Sequence, residues 1–146
     1  MKSTPQQAGQ RSFAIGGHKV FFPHEQPYDC QLEYMKKVIQ SAEGSQNALL
    51  ESPTGTGKTL SLLCATLSWL KKERERHGSK DFGLPQIIYC SRTHSQLQQV
   101  QRELRATVYD PRTVLLASRD NLCIHPTIRE LSVSLIFIRF QGSQLT

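Results

Sequence analysis

The residues Ser52-Pro53-Thr54-Gly55-Thr56-Gly57-Lys58-Thr59 carry the clearest chemistry in this chain. They match the phosphate-loop pattern GxxxxGK[ST] at every defined place except the first, where Ser52 replaces glycine. Gly55 and Gly57 can take positive φ at no steric cost, so successive amide hydrogens can turn inward on an anion that also sits at a helix N-terminus. Lys58 would set a point charge on the β- and γ-phosphates of a nucleotide, and the Thr59 hydroxyl would complete the oxygen shell of Mg²⁺. The bland alternative is a Gly-Thr turn that happens to precede a lysine. The flanks argue against it: Ala48-Leu49-Leu50 reads as a short apolar strand, and Leu60, Leu63, Cys64, Leu67 and Leu70 recur at helical spacing. Strand, glycine loop, helix is the setting that gives the pattern its meaning.

Three further groups could serve such a site. Phe21, Phe22, Pro23, Tyr28 and Gln31 precede the loop; a glutamine can both donate to and accept from an adenine edge while an aromatic ring stacks on its face. Gln31 and Tyr28 are the candidates, against the alternative of an ordinary surface segment. Ser91, Arg92, Thr93, His94 and Gln96 follow a β-prone run, Gln86–Cys90, and open a helix, so their donors gather at a strand end, where open α/β sheets bind ligands. Such a cluster suits phosphates of a nucleic-acid backbone, and capping by Ser91 or Thr93 can coexist with that role. Cys123 beside His125 is weak as a metal signal, because a free cysteine is commonly a small buried hydrophobe.

The elements needed to hold these groups can be read from periodicity. Met35, Val38, Ile39 and Ala42 predict a helix from about Cys30 to Glu43 with Asp29 as a possible N-cap, after a segment His18–Pro23 of extended character. Lys71–His77 alternates in sign and reads as the solvated end of the helix that follows the loop. Leu97, Val100 and Leu104 predict a third helix, and Thr113–Ala117 a third strand. Strands alternating with helices imply a parallel sheet covered on both faces. Order is expected from about Phe13, with residues 1–12 a disordered tail.

Composition narrows the class without choosing a function. The chain's 146 residues, 38% hydrophobic, can bury one modest core, which means a single domain or a piece of one. A net charge of +6 favours polyanionic partners without identifying them. The longest apolar run, Leu131–Phe140, is about half the roughly 20 residues of a membrane span and carries Arg139, so no membrane role is expected. The polar start, Met1–Arg11, lacks a secretory signal's apolar core. Cys30, Cys64, Cys90 and Cys123 form no CxxC pair, which fits a reducing compartment; the first three read as packing residues.

With these motifs in place, the stretch from about Ile15 to Pro126 resembles the N-terminal part of the iron–sulfur superfamily 2 DNA helicases. The resemblance rests on Tyr28-Asp29-Cys30-Gln31, on Asn47 to Thr59, and on Ser91-Arg92-Thr93-His94-Ser95-Gln96-Leu97. In that family serine at the Ser52 position is ordinary. The resemblance implies that Gln31 reads adenine, that Arg92, Thr93, His94 and Gln96 grip single-stranded or forked DNA, and that Arg119 lies near the DNA-binding face. It also implies that Cys123, within Ser118 to Pro126, is the first ligand of a four-iron, four-sulfur cluster in full-length relatives. The fold implied is an α/β, partial RecA-like phosphate-loop NTPase domain, a parallel sheet with flanking helices, truncated. Residues 13–126 would be the N-terminal part of the first ATP-binding domain and 127–146 a divergent or truncated tail. The activity implied is ATP- and Mg²⁺-dependent 5′-to-3′ DNA unwinding in the nucleus, in DNA repair and telomere stability.

A four-iron cluster ordinarily needs four thiolates, and no cysteine follows Cys123. Nor does the sequence contain an Asp-Glu-Ala-His box to hold Mg²⁺ and position water. The chain alone is therefore expected to bind nucleotide or DNA weakly and not to turn over. Two rivals stand beside this reading: part of another phosphate-loop ATPase or small kinase, and a non-catalytic or unstable truncated product.

Overall fold

In the computed structural model the described residues are 11–78, 85–118 and 122–125. The chain divides into a first unit, Met1–Pro111, and a second, Arg112–Thr146.

The first unit opens with a hairpin: β1 (Arg11–Ile15) lies antiparallel to β2 (His18–Phe22), with Arg11 opposite Phe22 and Ile15 opposite His18. Gly16 and Gly17 join them at φ 55° and 77°. Positive φ at both central residues is what a two-residue hairpin turn needs to match strand twist. Along β2, His18, Val20 and Phe22 are buried while Lys19 is exposed, the period of a strand with one face on a core. The expected extended segment is thus β2. Its partner β1 was not anticipated, and it takes in Arg11 and Ser12 from the stretch expected to be tail.

Helix α1 (Asp29–Glu43) follows, capped by Tyr28 and not by Asp29. Gln31 Oε1 accepts the Tyr28 N–H at 2.9 Å, so the helix opens one residue early. Asp29 then stands in the first turn, where its charge meets the positive end of the helix dipole. α1 buries Gln31, Met35, Val38 and Ile39, one stripe at 3.6-residue spacing. Helix α2 (Lys58–His77) buries all five residues of its predicted stripe, and its charged last turns lie in solvent as expected. Helix α3 (His94–Arg105) packs on α2, and Leu97, Val100 and Leu104 of its predicted stripe are half-buried.

The core joins Ile15, Val20 and Phe22 of the hairpin to Met35, Val38 and Ile39 of α1 and to Leu60, Cys64 and Ala65 of α2. A polar clasp closes one side. His18 Nε2 lies 2.6 Å from Glu43 Oε1, Arg76 reaches the same carboxylate at 3.2 Å, and Lys72 donates to the Gly17 carbonyl at 3.0 Å.

Two expectations need correction. The only sheet among the described residues is the hairpin; the runs 48–50, 86–90 and 113–117 carry no strand pairing. Leu49 is 100% exposed and Ile88 81%, so these apolar residues lie outside the core. A strand exists only when its N–H and C=O groups find a ladder partner, and none of these runs has one. The second correction concerns cysteines: Cys64 is buried, but Cys30 and Cys90 are exposed. Cys30 precedes Gln31 on α1 and so falls off the buried stripe, and Cys90 belongs to an unpaired run. In the second unit, the Leu122 N–H donates to the Ser118 carbonyl at 3.1 Å. The possible helix cap at Thr127–Glu130 and the apolar run Leu131–Phe140 lie outside the described residues.

Candidate functional site: the phosphate loop

Residues 52–59 form a closed loop leading into α2. Gly55 and Gly57 both take positive φ, 81° and 69°, as the pattern predicts. Gly57 is the N-cap of α2, its carbonyl accepting the Ser61 N–H at 3.0 Å, and Lys58 and Thr59 open the helix. Lys58 Nζ folds back to donate to the carbonyls of Ser52 at 2.6 Å and Pro53 at 2.7 Å. Thr56 Oγ1 donates to the Pro53 carbonyl at 2.9 Å, which leaves Ser52 Oγ as donor in its 2.6 Å contact with Thr56 Oγ1. The hydroxyl of Ser52 thus braces the loop from its first position, work that a glycine there could not do.

Gln31 ties this loop to α1. It is 6% exposed, and while its Oε1 holds the Tyr28 N–H its Nε2 donates to the Thr56 carbonyl at 3.0 Å. That carbonyl shares a planar trans peptide with the N–H of Gly57, and the two point in opposite directions. Anchoring the carbonyl on Gln31 therefore fixes the Gly57 N–H toward the other side of the loop. The approach is close: a Cβ on Gly57 would stand 2.6 Å from Gln31 Nε2. One lone pair and one N–H of the amide are not used in these two bonds, so Gln31 keeps capacity for a ligand. Tyr28, the N-cap of α1, is 68% exposed.

Electrostatically the loop favours an anion. It caps the positive end of a 20-residue helix whose first turn contains no acid. Thr59, in the first turn of α2, carries the hydroxyl that the pattern would place on a phosphate-bound cation. Among the described residues no group of three or more His, Cys, Asp or Glu could hold a metal ion.

The second predicted cluster lies at the start of α3. Thr93 is the N-cap, its Oγ1 accepting the Gln96 N–H at 3.3 Å, and Ser91 Oγ donates to Gln96 Oε1 at 2.6 Å. Capping is thus realised, and Arg92, Thr93, His94 and Gln96 are all exposed at one helix end. Arg119 lies outside the described residues. Cys123, in the second unit, donates weakly to the His125 carbonyl at 3.7 Å. Cys64 is no candidate ligand, because burial first, and the charge of Glu103 second, push its thiol up to about 12. The donor set of the described residues does not fit a four-iron cluster. No described helix is long and apolar enough to cross a membrane.

Sequence reasoning found the loop and missed the Gln31–Thr56 contact. The partners are 25 residues apart, and nothing local to either marks the other.

The DEAD_2 family model matches residues 89–136, which implies a helicase-type fold. The chain is 42% identical over 147 residues to the Drosophila ananassae protein named regulator of telomere elongation helicase 1 homolog, covering 78% of this chain and 15% of that one. It is 42% identical over 148 residues to the Mus musculus regulator of telomere elongation helicase 1, covering 80% of this chain and 12% of that one. The chain therefore spans about an eighth to a seventh of these relatives' length. No solved structure matches it.

Proposed function

This chain belongs to the iron–sulfur superfamily 2 helicases, the family of the regulators of telomere elongation, and from that premise we propose that residues 52–59 bind the triphosphate of ATP for a DNA-unwinding motor. The observation that carries the reading is the loop itself: positive φ at Gly55 and Gly57, an ammonium held across it, and the N-terminus of α2 beneath. On binding, Lys58 Nζ would exchange the Ser52 and Pro53 carbonyls for phosphate oxygens, and the amides from Gly55 to Thr59 would donate to the same anion. Mg²⁺, when bound, neutralises charge on the phosphates; the Thr59 hydroxyl is the group that would hold it. Gln31 positions the loop and meets the adenine edge with its remaining donor and acceptor, while Tyr28 stacks on the base.

In the same proposal Arg92, Thr93, His94 and Gln96 contact the backbone of single-stranded or forked DNA, joined by Arg119. Cys123 is a cluster ligand only in full-length relatives. Hydrolysis and 5′-to-3′ unwinding, in the nucleus and in genome maintenance, belong to the complete motor. Titration calorimetry tests the core of the reading: ATP should bind the chain, and Lys58→Ala should weaken binding at least about tenfold, the worth of ~1.4 kcal/mol. Unchanged affinity in that variant would overturn the role assigned to Lys58.

A further inference from the structure

Helix α2 carries cations on two sides, and only one side is answered. Lys72 and Arg76 meet Glu43 of α1, at 4.0 and 3.2 Å, and Arg76 also pairs with Glu73. Lys71 and Arg74 instead line a groove of about 550 Å³ whose walls include Leu67, Leu70, Val108 and Pro111. Neither has a carboxylate within ion-pair distance among the described residues. Lys19 of β2 adds a third exposed ammonium, and it is likewise unanswered. Asp110 is the one acid in the lining.

The chemistry of the lining separates two kinds of anionic partner. Sites that hold a single nucleic-acid strand by base stacking offer free aromatic faces beside their cations. Phe21 does not offer one: the ammonium groups of Lys19 and Lys71 stand 5.2 and 5.6 Å from its ring centroid, and Tyr109 meets it edge-on at 6.4 Å. Tyr109 is committed as well, its hydroxyl accepting the Phe21 N–H at 3.0 Å. What remains is an aliphatic lining under a cationic rim, in which Val108 is 38% exposed and Leu67 and Leu70 each show 8% of their surface. Such a surface complements a helix that carries leucine-like side chains on one face and carboxylates beside them.

We propose that the Lys71–Arg74 groove is a docking site for an acidic amphipathic peptide segment, aliphatic side chains entering between α2 and Val108–Pro111 and carboxylates meeting Lys19, Lys71 and Arg74. The site is independent of nucleotide. Arg74 lies 16 residues along α2 from Lys58, about 24 Å at 1.5 Å per residue, so an occupant leaves the phosphate loop open.

Fluorescence anisotropy on the full chain tests this with a labelled helical probe peptide that bears leucines on one face and glutamates elsewhere. A second peptide with those leucines replaced by serine and a labelled oligothymidylate serve as comparators. The proposal expects the leucine peptide to bind, salt to weaken it, and the exposed pair Lys71→Glu with Arg74→Glu to lose about tenfold or more, with an unchanged thermal melt. Equal binding of the serine peptide would reduce the site to unspecific charge and overturn the proposal. So would oligothymidylate binding that the same pair of substitutions abolishes, or no peptide binding at all. ATP titration of the charge-reversed chain should be unaltered, which separates this site from the nucleotide site.

Discussion

At Gln31 a single buried amide stands between two demands, holding the phosphate loop and meeting a base, and the two can be told apart by ligand. If its main work is on the Thr56 carbonyl, Gln31→Ala weakens ATP and inorganic tripolyphosphate by the same factor. That factor is about fivefold for one net hydrogen bond of ~1 kcal/mol. A loss confined to ATP would assign Gln31 to the base alone. Gly57 is bound to the same contact: an alanine there would be strained at φ 69°, and its Cβ, 2.6 Å from Gln31 Nε2, would push that amide off the Thr56 carbonyl. At this scale the sequence was informative wherever chemistry is written in neighbouring residues. Gly55, Gly57, Lys58 and Thr59 declare themselves by spacing. Gln31 as an anchor does not, because its meaning depends on where a segment 25 residues away comes to rest, and Ser52 as a brace does not, because its bond to Thr56 depends on how the loop closes.

Among the elements, the hairpin and two helices share one core, so its largest side chain should be costly to remove. Phe22→Ala is expected to destabilise the first unit by about 3–5 kcal/mol in urea unfolding, the usual range for a buried aromatic. Phe22 is 0% exposed; a change under ~1 kcal/mol would mean that this packing is not realised. The clasp around Glu43 gives a pH signature. A hydrogen bond from Arg76 is the largest cause holding the Glu43 carboxyl below its ordinary value; His18 adds to it and partial burial opposes it. The folded-state value is depressed, so the contribution is present above the unfolded carboxylate range and is lost as pH falls through the folded value. His18, Lys72 and Arg76 are the groups that face it. Glu43→Gln should therefore flatten the acid limb of the urea midpoint below about pH 4.5 and lower stability at neutral pH; parallel wild-type and variant curves would contradict this. The helices were legible because their stripes bury against one another within the chain. The three strand-like runs were not, since apolar composition marks a β-prone segment but cannot supply its partner. The opposite error occurred at Arg11–Ile15, a strand passed over although Gly16-Gly17 signals a hairpin turn.

For the molecule as a whole, the unit ending at Pro111 contains a shared core yet leaves Leu49 and Ile88 in solvent. The core predicts a cooperative thermal transition by circular dichroism, and a featureless melt would favour an unstable product. ATP binding to the folded state alone should raise that transition, by about 2.7 kcal/mol of added stability at a hundredfold excess over Kd. The decisive measurement is a crystal structure of the chain with a nonhydrolysable ATP analogue. The predicted result is the triphosphate seated on the amides of Gly55 to Thr59, with Lys58 Nζ moved from the Ser52 and Pro53 carbonyls to phosphate oxygen. An analogue bound elsewhere, or a loop empty with Lys58 still closed on those carbonyls at saturating concentration, would contradict it.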